Sequence, residues 1–295
     1  MSALREEPKL ELDVPQRRSV RKKIGEMLFE ADKLTAADVK RALTLQEEAG
    51  MRFGDATLQL GLASPEDVQQ ALNKQFKYEF LSDGHGTVAP EIAIAHAPQS
   101  AGAEAIRTLR SSLTLGMAAN RQCESFAIVS PDSGDGRSFV AASLAIAFAQ
   151  ARRRTLLIDA DLRGGRQHAL FGLKNQVGFA TILAERGASE CMSRIEGFNE
   201  LSVLTSGPTP PNPQELLGRP HVTKFLEVVR AHFDVLIFDT PACLASADAS
   251  LIANLASNAV LVARRHRTKV RDLKKTAQEM TLARAKVLGV VLNNF

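Results

Sequence analysis

Ser130-Pro-Asp-Ser-Gly-Asp-Gly-Arg-Ser138 follows the β-rich run Phe126–Ser130 and opens the helical stretch Ser138–Gln150, SFVAASLAIAFAQ. A strand that passes through a Gly-rich turn into a helix is the context a phosphate loop requires. Gly134 and Gly136 let the backbone turn its N–H groups inward, where they and the helix N-terminus face an anion. The Ser138 hydroxyl is placed to ligate Mg²⁺. Taken alone, the segment also suits a strand-to-helix turn with no ligand. Two further segments narrow the choice. Leu156-Leu-Ile-Asp159-Ala-Asp161-Leu-Arg163 is an apolar strand ending in two acids, and Val235-Leu-Ile-Phe-Asp239-Thr-Pro241 is another strand ending in one. Ligands of open α/β sheets bind at the carboxyl ends of strands. Three strand ends then bring Ser138, Asp159, Asp161 and Asp239 around one phosphate–metal site.

Working outward, further β-rich runs fall at Leu201–Thr205, Ala259–Ala263 and Val287–Leu292, with helical stretches between most of the runs. Runs apolar on both faces and alternating with helices predict a mostly parallel sheet with helices on both faces, a doubly wound α/β domain over 101–295. Ser138–Gln150 is apolar nearly all round, so this helix is expected to be buried against the sheet. Residues 81–100, rich in Gly, Pro and small side chains, read as a linker. Residues 21–80 hold a duplication. Ile24-Gly25 recurs as Phe53-Gly54, an offset of 29 that also carries Thr35 to Ser64, Asp38 to Asp67, Ala42-Leu43 to Ala71-Leu72 and Gln46 to Gln75. This is a repeated helical unit, with Thr35 and Ser64 as N-caps. Val39 and Leu43, like Val68 and Leu72, are expected on one helix face. Residues 1–20 are expected to form a flexible tail.

A length of 295 residues suits two domains. The 45% apolar and 24% charged composition is that of a soluble globular protein. No apolar run is long enough to span a bilayer, and the first residues carry no secretory pattern. Cys123, Cys191 and Cys243 lie far apart, so neither a disulfide framework nor a zinc site is expected, and a reducing cytoplasm fits. Cys243 reads as packing. The net charge of +4 permits contact with a membrane surface or nucleic acid without arguing for either. The basic run Arg264-Arg265-His266-Arg267-Thr-Lys269-Val-Arg271 reads as a solvated face, with lipid, a membrane partner or DNA as alternatives.

On these segments the second two-thirds of the chain resembles the bacterial tyrosine kinases of exopolysaccharide export, within them the chain-length-determinant subgroup. The resemblance rests on Ser133–Ser138, LLIDADLR, LIFDTPA, Glu104-Ala-Ile-Arg107-Thr-Leu-Arg110, Pro211-Asn-Pro-Gln-Glu-Leu-Leu217 and Gly289-Val-Val-Leu-Asn293. It implies an ATP-dependent kinase with a deviant Walker A loop, acting in polysaccharide polymerisation and export. It implies ATP contacts from Ser133, Gly134, Asp135, Gly136, Arg137, Ser138 and Phe139, with Asn293 toward the adenine. Asp161 would be the general base and Arg137 would hold phosphates. Ser138, Asp159 and Asp239 would organise Mg²⁺. Glu104, Arg107 and Arg110 would lie at subunit contacts of a homo-oligomer. The partner implied is a membrane chain-length-determinant protein, which would hold the kinase at the inner face of the plasma membrane. No nucleic acid is expected.

The chain departs from the family at two points. Arg137 stands where a phosphate loop normally has lysine; it keeps the charge but is larger and planar. The family's closing tyrosine cluster has no counterpart, since the one tyrosine is Tyr78 and the last residue is Phe295. Self-phosphorylation on a tail is therefore not expected, and tyrosine kinase activity is expected to be weakened. A non-catalytic nucleotide-dependent regulator and a partition-type ATPase remain as alternatives; Pro211–Leu217 argues against the second.

Residues 23–75 resemble the N-terminal domain of type II secretion and pilus ATPases, some of which bind cyclic di-GMP. That implies a dinucleotide site at Lys23, Gly25, Gln46, Arg52, Gly54, Gly61 and Gln75, where backbone near glycine could approach the ligand closely. Asp32 takes the place of Gly61 in the first copy. A helical adaptor that docks partners is the other reading.

Overall fold

The computed structural model describes residues 23–75, 79–81, 86–117, 123–185 and 191–294. It forms two compact units that divide between Tyr78 and Glu79. The expected tail 1–20, Tyr78 and Phe295 lie outside the described residues.

The first unit contains α1 (Ile24–Glu30), α2 (Ala36–Ala49), α3 (Phe53–Gln59) and α4 (Pro65–Gln75). The duplication is visible at its caps. The Thr35 hydroxyl accepts from the Asp38 amide at 3.2 Å while the Asp38 carboxylate accepts from the Thr35 amide at 3.0 Å. Ser64 and Asp67 repeat the arrangement at 3.1 and 3.2 Å. These bonds satisfy helix-end donors that would otherwise lack partners. They also hold both aspartates below the usual carboxylate range, Asp67 with Lys33 as the first cause. Asp32 and Gly61 both adopt left-handed backbone, φ 54° and 62°, so the two copies share one turn with different residues. The core is Leu28, Leu34, Val68 and Ala71. Leu43, expected on the inward face, is exposed; Ala42 is buried in its place.

The second unit runs α5 (Ala93–His96), α6 (Ala101–Gly116), β1 (Glu124–Val129), α7 (Arg137–Gln150), β2 (Thr155–Asp159), α8 (Gln167–Leu170), α9 (Phe179–Leu183), β3 (Met192–Ile195) and β4 (Phe198–Leu204). It continues with α10 (Pro213–Leu217), α11 (Pro220–His232), β5 (Val235–Asp239), α12 (Asp248–Ala256), β6 (Asn258–Arg264), α13 (Val270–Leu282) and β7 (Lys286–Asn293). The sheet order is β3-β4-β2-β5-β1-β6-β7, parallel throughout except for the β3–β4 pair. Alternate residues of β1 serve opposite cores: Phe126 and Ile128 pack with α7, Ala127 and Val129 with α12. Helices on both faces explain why the inner strands are apolar throughout. α7 is buried along most of its length, as its all-apolar sequence requires. Short, partly polar β3 was not foreseen, because its four residues, MSRI, hold no apolar run.

Residues 81–100 are not a linker over their described positions. Leu81, Val88, Ile92, Ile94 and Ala95 join the core beneath α7. The Leu81 amide donates to Ala95 O at 2.8 Å and the Ala89 amide to Leu170 O at 2.7 Å. Apolar side chains spaced along the segment dock into the core despite its Gly- and Pro-rich composition.

Gly178, at the start of α9, lies against the turn after β4. A Cβ there would fall onto the Thr205 carbonyl oxygen and the Gly207 nitrogen, both backbone atoms with no side-chain route of escape. Gly178→Ala is therefore expected to cost about 3 kcal/mol and lower the melting temperature by roughly 6–12 °C. Thermal denaturation followed by circular dichroism tests this; an unchanged midpoint would contradict it.

Candidate functional site

The sheet order fixes the site. β5 lies between β1 and β2, so three strand ends carrying the phosphate loop, Asp159 and Asp239 are adjacent, with Asp159 and Asp239 in direct register. From β1 the chain enters the loop through Gly134 (φ 81°) and Gly136 (φ 102°), backbone that side-chain-bearing residues rarely adopt. Buried Asp135 staples the loop, accepting from the Asp132 amide at 3.0 Å and from Thr268 Oγ1 at 2.8 Å. Asn293 Nδ2 donates to Asp135 O at 3.2 Å, Arg264 Nη1 to Gly134 O at 3.2 Å and Arg267 Nη2 to Ser133 O at 3.1 Å. Asp135 and Asn293, expected at the nucleotide, thus brace the loop from within. Two arginines of the basic run, expected to be solvated, reach back to it.

Arg137 also departs from expectation. Its guanidinium is buried, with Nε donating to Thr240 O at 2.8 Å and Nη1 donating to Asp132 O at 2.6 Å and to Ser130 Oγ. It ties the loop to the end of β5. The side chain still lines the cavity, so Nη2, without a protein bond, is the nitrogen left for a phosphate oxygen. A planar fork can divide its donors in this way.

Below the loop, Asp159 Oδ2 accepts from the Gln167 amide at 2.9 Å and Asp239 Oδ2 from Gln167 Nε2 at 2.7 Å. Ser138 also hydrogen-bonds Asp239. The Oδ1 atom of each aspartate is buried and has no partner. Burial, then the neighbouring Asp239 charge, pushes Asp159 well above the usual range. Burial likewise pushes Asp239 up to about 6 despite its hydrogen bonds. Two such acids resist carrying two negative charges, and a divalent cation removes that resistance. Among the described residues no group of three or more His, Cys, Asp or Glu could hold a metal by itself. Mg²⁺ fits this donor set, since it is commonly bound by one or two carboxylates together with water and phosphate oxygens.

Asp161 sits higher, half-buried at the cavity wall, its Oδ1 accepting from the Arg163 amide at 3.1 Å and the Gly164 amide at 2.9 Å. Arg163 Nε pairs with buried Asp248 at 2.7 Å, anchoring this turn to α12. The cavity of about 550 Å³ is lined by Ser133, Gly136, Ser138, Phe139, Asp161 and Arg166, among others. That is the size of a small-ligand pocket. Cys243 is buried, its thiol pushed up to about 12 by burial, and its amide donates to Ser130 O at 3.0 Å, so it packs. Gln167 was missed, because a glutamine eight residues beyond Asp159 carries no spacing signal in one sequence.

On α6, Glu104 and Arg107 pair at 2.6 Å, while Arg110 Nη1 turns inward to Ala147 O at 2.8 Å. In the first unit Lys23 and Arg52 precede α1 and α3, Gln46 lies on α2 and Gln75 ends α4. The sides of Gly25 and Gly54 where a Cβ would stand are filled by the Phe53 ring at 3.0 Å and Val68 Cγ1 at 2.9 Å. These glycines serve helix packing.

A family model described as ParA: NUBPL iron-transfer P-loop NTPase matches residues 123–294. Tyrosine-protein kinase YwqD of Bacillus subtilis is 38% identical over 196 residues, 66% of this chain and 82% of that protein. Putative tyrosine-protein kinase CapB of Staphylococcus aureus is 33% identical over 207 residues, 70% and 90% of the two chains. The solved kinase domain of Escherichia coli tyrosine kinase ETK superposes with TM-score 0.67 at 31% identity, covering 74% of this chain and 85% of that one. The chimerical protein CapA2B2 superposes with TM-score 0.65 at 31% identity, covering 76% and 97%. The residues matched by the family model lie within the second unit.

Proposed function

Because this chain belongs to the bacterial tyrosine-protein kinases within the ParA-type P-loop NTPases, we propose that it binds ATP with Mg²⁺ and transfers the γ-phosphoryl group to a tyrosine of a partner protein. The observation that carries the reading is the register pair Asp159–Asp239, each with a buried unpartnered oxygen, beneath a Gly-rich loop at a helix N-terminus. The loop amides and the start of α7 hold phosphate oxygens. Ser138, Asp159 and Asp239 hold Mg²⁺, which when bound neutralises phosphate charge. Asp161, at the cavity wall, accepts the tyrosine proton. Arg137 shapes the loop through Nε and Nη1 and presents Nη2 to phosphate.

The relatives' names support a kinase acting on tyrosine, and the family resemblance supports a role in exopolysaccharide polymerisation and chain length. The partner is then a membrane chain-length-determinant protein that recruits this chain to the inner face of the plasma membrane. Among the described residues no helix is long and apolar enough to cross a membrane. Homo-oligomer contacts would use Glu104 and Arg107 on α6, with Arg110 holding that helix to α7. The first unit reads as a helical docking adaptor, because Phe53 and Val68 occupy the space beside Gly25 and Gly54 that a cyclic di-GMP site would need open.

A second reading, a nucleotide-dependent regulator with little turnover, is favoured by Arg137 spending three donors on its own protein. Calorimetry of ATP binding with Mg²⁺ and with EDTA, paired with radioactive phosphate transfer to the partner's tyrosines, separates the readings. The kinase reading expects Mg²⁺-dependent binding and transfer. Binding without transfer selects the regulator, and absence of binding removes both.

A further inference from the structure

Gln167 hydrogen-bonds all three residues assigned to the cation, the third through its backbone carbonyl, and nothing in the motifs marks it. Its backbone amide donates to Asp159 Oδ2 at 2.9 Å. Its side-chain Nε2 donates to Asp239 Oδ2 at 2.7 Å and to the Ser138 carbonyl at 3.1 Å. The side chain is fully buried and its Oε1 has no partner. The amide orientation is dictated by its neighbours: the reverse assignment would set Oε1 against a carbonyl oxygen and a carboxylate oxygen. Three buried acceptors thus lack hydrogen: Oδ1 of Asp159, Oδ1 of Asp239 and Oε1 of Gln167. They belong to groups already hydrogen-bonded to one another, so they share one small neighbourhood. Buried acceptors without partners are costly unless water or an ion satisfies them.

We infer that Gln167 is the positioning residue of the cation site: it fixes the outer oxygens of Asp159 and Asp239, leaves one oxygen of each for Mg²⁺, and accepts through Oε1 a hydrogen from water on that ion. This rests on the nucleotide–Mg²⁺ reading above and adds a residue that the motifs do not contain. The division of labour within Gln167 matters. The backbone bond to Asp159 survives any substitution, so the turn keeps its anchor. The side chain ties Asp239 Oδ2 to the Ser138 carbonyl. Glutamate would place a third acid against Asp239, and a methionine of the same length would supply no donor. Partners that orient metal ligands are worth about 10–100-fold in metal affinity.

The test uses the full chain with ADP, and Mn²⁺ as the probe ion read by electron paramagnetic resonance. For Gln167→Met, Mn²⁺ affinity of the ADP-bound protein is expected to fall about 10–100-fold, while ADP affinity in EDTA stays at the wild-type value; the melting temperature is expected to fall, because Asp239 Oδ2 and the Ser138 carbonyl lose their donor. If Gln167→Met does not unfold cooperatively, Gln167→Ala, whose vacated space water can fill, carries the same comparison. In the wild type, the Gln167 side-chain amide resonance is expected to shift when Mg²⁺ is added to the ADP complex, and an unmoved resonance overturns the inference without any variant. Wild-type Mn²⁺ affinity in the variants overturns it, as does a loss of ADP affinity in EDTA that matches the loss of Mn²⁺. Failure of the wild type to bind ADP and Mn²⁺ overturns the nucleotide reading itself, a result distinct from a variant that matches the wild type.

Discussion

Asp161→Asn is expected to lower phosphoryl transfer to a tyrosine acceptor by about 10²–10⁴-fold with nucleotide binding unchanged. The two halves of this outcome have separate causes. Asp161 Oδ1 accepts two backbone amides of its own turn, and the amide oxygen of asparagine can accept the same pair, so the turn and the neighbouring Arg163–Asp248 pair stay in place. What disappears is the charge at the cavity wall that would take the hydroxyl proton. The Asp161 side chain is absent from the hydrogen bonds joining Asp159, Asp239, Ser138 and Gln167, so the substitution breaks none of them and removes only one of the smaller charges that raise the two aspartates. Calorimetry for ATP and radioactive transfer to the partner's tyrosines measure the two halves. Transfer at the wild-type rate would remove Asp161 from the base role, whereas loss of binding would place it among the nucleotide contacts.

The second large effect runs in the opposite direction for stability. Asp239 is raised from 3.8 to about 6 in the folded protein, chiefly by burial. The folded state therefore binds more protons than the unfolded state between those values, and stability falls as pH rises through that window. Below it both states are protonated and nothing is lost; above it the ligand-free fold carries a cost of about 3 kcal/mol. Asp239→Asn removes the charge and keeps an oxygen for Gln167 Nε2. At pH 8 the ligand-free variant is expected to melt higher by roughly 6–12 °C, and at pH 4 the two proteins should nearly coincide. The same substitution removes a cation ligand, so the Mg²⁺-dependent gain in nucleotide affinity should vanish. Melting curves at both pH values, with and without Mg·ADP, give the result. A variant less stable than wild type at pH 8 would show that the carboxylate is supported rather than strained in the empty fold.

Much of the architecture was legible because its cause is local. Apolar runs ending in acids mark β2 and β5, and their sheet positions bring Asp159 and Asp239 into register without further instruction. The offset of 29 between Thr35 and Ser64 foretold two matching caps, since a capping box needs only residues three apart. What escaped was set by distant partners. Leu43 lies on the expected stripe, yet Ala42 is the residue drawn inward. Residues 81–100 look like a linker by composition, but at their described positions Leu81, Val88, Ile92 and Ile94 dock into the core with α7. Asp135 and Asn293 have side chains suited to ligand contacts and use them to brace the loop, while Arg137 divides its donors between the loop and the cavity. Gln167 carried no signal at all, because its importance comes from which strand ends neighbour α8.

The braces on the phosphate loop come from far along the chain: Thr268 reaches Asp135 across a separation of 133 residues, and Asn293 reaches it across 158. During synthesis from the N-terminus, the Gly-rich turn emerges from the ribosome long before β6 and β7 exist to grip it. A nascent or prematurely ended chain thus displays the motif without its shape. On this geometry, competence to take up nucleotide is expected to arrive only with the last strand, once translation has passed Asn293.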